Sequence, residues 1–395
     1  MRINGSDAHL TYCLNVHPAT CYADVQANIF PKAIKVFKRL EQKMPVQPPY
    51  GLGLWVPAVS LPELAAPGAV ADLKRRLTEN GLYVFTVNGF PFGKFHGARV
   101  KERVYQPDWS KPARAAYTRT LAEVLAPLLP DGVEGTISTV PVTFRAWADR
   151  ETVAAAAIQL AGLAGFLDQL AGATGRDIAL ALEPEPACYL ETAEDARRFF
   201  LEELLPRGCT WLGEAGVRRT DAERIIRRRI GVCYDLVHAA VMFEDPVQAL
   251  AGLGRDGIRV LKLHIGSAVQ AEVGADGPSA DLTRFNEAVY LHQVTVRTQA
   301  GGFRHYLDMP AAIEQALPGT WRVHFHVPHA SLAGPVTDTS SLVNARLLKA
   351  ALDLGVRHFE VETYTLDILP GFTGSVEDAM AREIAWAYSM LSRRE

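Results

Sequence analysis

Short apolar runs rich in β-branched residues alternate along this chain with longer stretches whose apolar residues recur every three or four positions. The short runs lie at 10–16, 51–56, 82–88, 133–140, 178–183, 230–235, 258–265 and 358–363. Helical periodicity marks 23–42, 61–80, 111–129, 150–174, 192–205, 221–229, 245–253, 308–317, 340–354 and 376–394. Strand followed by helix, repeated, predicts parallel strands joined by crossover helices. Eight such units close into a (β/α)8 TIM barrel, whereas fewer would leave a doubly wound open sheet. One further strand-like run, 321–327, makes the count ambiguous. It is read as part of an excursion, 266–340, inserted between the last two barrel strands, since that connection far exceeds ordinary loop length. No composition shift marks a boundary, so residues 1–395 are read as a single domain.

Composition narrows the classes without choosing among them. Hydrophobic residues make up 48% and charged residues 22%, values of a globular protein. A net charge of −3 argues against general affinity for nucleic acid or an anionic membrane. The start, MRINGSDAHL, shows no basic region followed by an apolar core, and the Ala-rich run 153–165 is too short to span a bilayer. Five cysteines without a CxxC pair fit reduced thiols, and with them a cytoplasmic location. A homo-oligomer is compatible with all of this.

The chemistry lies where the last four strands stop. The run IALALEPEP is apolar until Glu183, and IGVCYDLVH reaches Asp235 with His238 three residues on. IRVLKLHIGS ends near His264, and HFEVETYT ends around Glu362. The C-terminal ends of barrel strands carry active sites, and side chains from neighbouring ends converge. A lone acid at a strand end is more often a helix cap or a solvated loop residue, and a lone His264 a rim histidine. Four adjacent strands doing the same thing favour a divalent cation, because three crowded carboxylates would otherwise repel or take up protons. Three carboxylates and one imidazole suit Mn, Mg or Co, while added histidines move the preference towards Zn. His238, and His324 with His326 in the excursion, make a second ion an option. His238 also reads as a residue behind the ligands or at a helix start. Lys262 and Glu360, two positions before His264 and Glu362, should point inward as an ion pair beneath the cation. Glu185 shares a strand face with Glu183 if the strand continues, but Pro184 and Pro186 favour a sharp exit. Around the mouth, His17, Asn88, Lys94 and His96 are candidates for substrate contact, the last two in a basic loop that could close as a lid.

The Glu183, Asp235, His264 and Glu362 set, with the stretch Gly231-Val232-Cys233-Tyr234-Asp235-Leu236-Val237-His238, resembles the xylose-isomerase-like TIM-barrel superfamily of sugar isomerases, sugar epimerases and endonuclease IV. The resemblance implies metal ligation by those four residues, and proton transfer on an α-hydroxy carbonyl substrate by Glu183 and Glu362. His324-Phe325-His326 falls where dinuclear members carry an Asp-x-Asp or Asp-x-His loop, but neither histidine is an Asp. More narrowly, LTYCLNVHP, ENGLYVFTVNGFPFGKFHG, VKERVYQPDW, GTISTVP, LEPEP, HFHVP and VETYTLDILP are similar to proteins called metabolite traffic protein EboE. That resemblance implies a cytoplasmic protein acting beside enzymes of a small exported metabolite. The expected function is therefore a metal-dependent sugar or sugar-phosphate isomerase or epimerase. A dinuclear hydrolase of the endonuclease IV type and a non-catalytic metabolite carrier remain as alternatives.

Overall fold

The computed structural model describes residues 1–97, 99–332 and 334–393. Seven parallel strands come first: β1 (His9–Tyr12), β2 (Tyr50–Trp55), β3 (Leu82–Asn88), β4 (Gly135–Thr139), β5 (Ile178–Leu182), β6 (Ile230–Asp235) and β7 (Val260–Ile265). An excursion carries β8 (Ser267–Val273), β9 (Val294–Thr298), β10 (Phe303–Tyr306), β11 (Gly319–Val327) and β12 (Val336–Asp338) before β13 (His358–Val361). The parallel strands run in the order β1-β13-β7-β6-β5-β4-β3-β2, and a single parallel bridge, Cys13 to Gly53, links the two ends into a barrel. Nearly every strand residue is buried, which is why these segments read as continuous apolar runs and show no alternation.

The helices of the outer ring begin and end where local chemistry dictates. Asp149 caps helix Arg150–Thr174 by accepting from Thr152 N at 2.7 Å, and Gly175 ends it in the left-handed region at φ 68°. That helix is long and apolar enough to cross a membrane, but half of its most apolar window is buried. It packs against helices Pro112–Leu128 and Leu205–Glu214. The helix expected to stop at 205 continues to Glu214, because a π-helical turn, Phe199–Leu204, precedes Pro206. A widened turn accommodates the hydrogen bond that proline cannot make. The same device surrounds Pro31 in the π turn Asn28–Ala33. The last helix spans Val376–Leu391, and Arg394, its expected end, lies outside the described residues.

The run at 321–327 is not a solitary strand. It is part of β11, the centre of a five-stranded antiparallel sheet in the order β10-β9-β11-β8-β12. Trp321, Phe325, Val269, Val294 and Met309 form a small core of its own. This sheet stands beside the C-terminal mouth, with β11 feeding residues towards it.

Candidate metal centre

Register places the four strand-end residues side by side. Asp235 pairs with His264 across β6 and β7, and His264 with Glu360 across β7 and β13. Glu183 and Glu362 come one residue after their strands but keep the ladder, donating from N–H to Thr139 O and Ile265 O. The alternation of strand side chains then turns all four inward. His264 Nδ1 lies 3.2 Å from Glu183 Oε1, 3.3 Å from Asp235 Oδ2 and 2.6 Å from Glu362 Oε2. None of these contacts has hydrogen-bond geometry: His264 Nδ1, Glu183 Oε2 and Asp235 Oδ2 are all buried without a partner. Donor atoms of the four residues fall within 4.8 Å of one another. Burying three carboxylates in this way is costly unless a positive charge stands among them.

Each acid is tuned differently. Burial pushes Glu183 up to about 7, against the pull of His264. Burial also opposes ionisation of Asp235, but the imidazoles of His238, His326 and His264 outweigh it and hold the carboxyl well below its usual range. Glu362 is likewise lowered despite burial, chiefly by His264. Its Oε1 accepts from Asn15 Nδ2 at 2.7 Å and Asn88 Nδ2 at 3.0 Å, so one oxygen is fixed while the other faces the cluster. Asp235 has a double role. Its Oδ1 caps helix Leu236–Val241 by accepting from Val237 N and His238 N, leaving Oδ2 free.

A second group adjoins the first. The side chains of His238, His324 and His326 also offer ring nitrogens within 4.8 Å of one another. Their Nδ1 atoms face acceptors: Pro184 O at 2.9 Å, Gln293 Oε1 at 2.6 Å and Glu362 O at 3.0 Å respectively. A carbonyl oxygen only accepts, so Nδ1 carries the proton in this network and Nε2 presents a lone pair. The Nε2 atoms of His324 and His326 stand 3.1 Å apart. Burial lowers the pKa of both rings, against the pull of Asp235.

Beyond the donors lies a chamber of about 50 Å³, lined by Glu183, Glu362, His238, His324, Asn15 and Asn88 at its polar end. Its walls include Phe90, Phe95, Val104, Tyr105, Tyr290 and Tyr364. Glu185 also faces it, accepting from Tyr105 OH at 2.7 Å; the chain does exit sharply, with Glu185 N–H bonded to Leu190 O, yet the carboxyl turns inward. Of the residues expected to touch substrate, only Asn88 lines the chamber. The chain leaves β1 through the 3-10 turn Leu14–Val16, which directs Asn15 to the site and leaves His17 bonded to Tyr12 OH at 3.1 Å. Lys94 is exposed, and His96 instead bridges Asn15 O and Tyr290 OH at 2.5 and 2.8 Å. The cation that lines the chamber is Lys101, paired with Asp308 at 2.6 Å. Beneath the donors, Lys262 contacts Glu360, both fully buried. Tyr105, Gln293 and Tyr290 carry no signal in the sequence, because only the fold brings them to the mouth, whereas Asn15 lies just after the first strand run, where a mouth residue is expected.

No protein-family model matches this chain, and no curated protein matches it in sequence. In three dimensions it is similar to a xylose isomerase-like TIM barrel protein from Mycobacterium smegmatis in complex with magnesium. The two share a TM-score of 0.50 and 12% identity over 97% of this chain and 99% of the other. The IOLI protein with a bound zinc atom gives a TM-score of 0.50 and 12% identity over 97% and 98%. At such identity the likeness is one of fold: a xylose isomerase-like TIM barrel.

Proposed function

We propose that this chain is a divalent-metal-dependent isomerase or epimerase that moves a proton at a carbon beside a carbonyl in a small polyhydroxylated metabolite. One observation carries the reading: four consecutive barrel strands deliver Glu183, Asp235, His264 and Glu362 to one buried point, where Glu183 Oε2, Asp235 Oδ2 and His264 Nδ1 have no hydrogen-bond partner. That donor set fits Mn, Mg or Co, and the adjoining imidazoles fit Zn, so one or two ions are accommodated. A divalent cation held by these residues supplies a Lewis acid that lowers the cost of negative charge on a substrate oxygen.

The chain's own groups supply the rest. Glu362, with Oε1 held by Asn15 and Asn88, is a fixed carboxylate, while Glu183 Oε2 has no partner and is free to take a proton. Aromatic walls exclude water and offer apolar faces to the C–H side of a ring or chain. Lys101 is neutralised by Asp308, and among the described residues no other lysine or arginine lines the chamber, which favours an unphosphorylated substrate. The similarity to EboE proteins adds a setting, a cytoplasmic pathway that makes a metabolite for export.

Glu183→Gln and Glu362→Gln should retain metal yet lower solvent-deuterium uptake at the substrate carbon by about 10²–10⁴-fold. Screening free ketoses and cyclitols against their phosphates with the unmodified protein identifies the substrate. Uptake unchanged in both variants would remove the glutamates from the mechanism. Binding without uptake for any candidate would instead support a metabolite carrier. The three converging imidazoles favour a second reading, a two-metal hydrolase, which requires two ions per chain and a substrate small enough for the chamber.

A further inference from the structure

His264 is the one imidazole among the four proposed ligands, and its two nitrogens meet opposite surroundings. Nδ1 faces Glu183, Asp235 and Glu362, while Nε2 lies 3.2 Å from Glu360 Oε2. The latter contact is electrostatic, since its angle falls short of a hydrogen bond. Glu360 in turn contacts Lys262, whose Nζ also donates to Ser138 Oγ at 3.3 Å. All three of His264, Glu360 and Lys262 are fully buried. Space for this arrangement is provided across the barrel: a Cβ at Gly53 would overlap Glu360 Oε1. An ion pair kept only for stability has no need to touch a histidine, and apolar residues of similar volume commonly do as well in a core.

We propose that the Lys262–Glu360 pair is a positioning device for His264: it fixes the tautomer protonated at Nε2 and so leaves the Nδ1 lone pair aimed at the metal cluster. With no cation present the three carboxylates at Nδ1 draw a proton there as well; a cation would displace that proton, and the Glu360 oxygen against Nε2 then keeps the remaining N–H on Nε2. Lys262 keeps that oxygen negative in a site closed to water, and Gly53 leaves the room. Such partners orient metal-bound histidines, and losing one typically lowers metal affinity about 10–100-fold. The inference rests on the metal reading above and extends it to residues that touch neither metal nor substrate.

The test uses Mn²⁺, whose preference for oxygen donors reports on the carboxylate cluster rather than on the three histidines. Free Mn²⁺ is followed by electron paramagnetic resonance during titration of the full chain. The double variant Lys262→Met/Glu360→Leu removes the device while keeping an apolar pair, and Lys262→Met/Glu360→Gln restores an acceptor without charge. The first should bind Mn²⁺ about 10–100-fold more weakly than the unmodified protein, and the second should recover much of the loss. Equal affinity in the unmodified protein and the Leu variant would overturn the proposal. Failure of the unmodified protein to bind Mn²⁺ would instead overturn the metal reading itself. Should the Leu variant not fold, the tautomer is read in the unmodified Zn-loaded protein by ¹⁵N resonances of labelled histidine, with His264 assigned by its loss in His264→Gln. A proton on Nε2 and metal on Nδ1 is expected; the reverse would overturn the proposal.

Discussion

At the scale of single residues, the strand-end donors are legible because each is an ionisable side chain where an apolar strand run stops, on four neighbouring strands. Glu183 and His264 need no tertiary information to be suspected. Gln293 does, arriving from an excursion far along the chain, whereas Asn15 follows the first strand closely and only its direction, set by a 3-10 turn, needs the fold. Inward-pointing Lys262 and Glu360 follow from period-two alternation alone, and their contact in the barrel has a stability consequence. Lys262→Met leaves Glu360 buried without its cation and should lower unfolding free energy by about 3–5 kcal/mol. Lys262→Met/Glu360→Leu should recover much of that in the same denaturant titrations; additive losses would show that the two residues do not interact. Gly53→Ala should destabilise as well, since its Cβ would displace the Glu360 carboxyl.

Among elements, the boundary misread at 205 has a local cause: Pro206 suggests a helix end, yet a π turn absorbs it, as another absorbs Pro31 inside the helix read over 23–42. Helix Leu236–Val241 is short, and the sequence shows only a helix start near His238 because Asp235, its cap, also reads as a ligand. A tie between elements gives a pH prediction. Glu383, on the last helix, accepts from His329 N at 2.8 Å and so anchors the segment after β11. Burial pushes its carboxyl up to about 7, above the 4.5 expected when unfolded. The folded protein therefore holds this proton more tightly, and the associated stability is present below about 4.5 and lost as pH rises through about 7. Glu383→Gln, which keeps an acceptor, should gain stability relative to the parent between pH 5 and pH 8, by up to about 3 kcal/mol. A constant difference across that range would refute the assignment.

For the whole molecule, the eight-strand alternation is readable because parallel barrel strands are apolar throughout and separated by amphipathic helices. The antiparallel sheet of the excursion is less so, since pairing β8 with β11 depends on partners about fifty residues apart in sequence. Connecting segments of the excursion and the loop after β3 meet over the mouth. Val100 N–H bonds to Val289 O at 2.8 Å, Lys101 pairs with Asp308, and the rings of Phe95 and Tyr290 lie 5.2 Å apart. The clear space of the chamber, about 50 Å³, would hold a few waters, and this clasp borders it, so loosening the clasp should widen access. Lys101→Ala should loosen it, and a chelator should then strip bound metal several-fold faster than from the parent. An unchanged rate would show that the clasp does not limit access.

The account depends most on a cation among the strand ends, and an anomalous difference map of Mn²⁺-loaded crystals tests that directly. It predicts a peak with Glu183, Asp235 and Glu362 oxygens and His264 Nδ1 at about 2.0–2.6 Å. A map with no peak there, or with Mn²⁺ bound elsewhere while the four side chains stay unliganded, would contradict it.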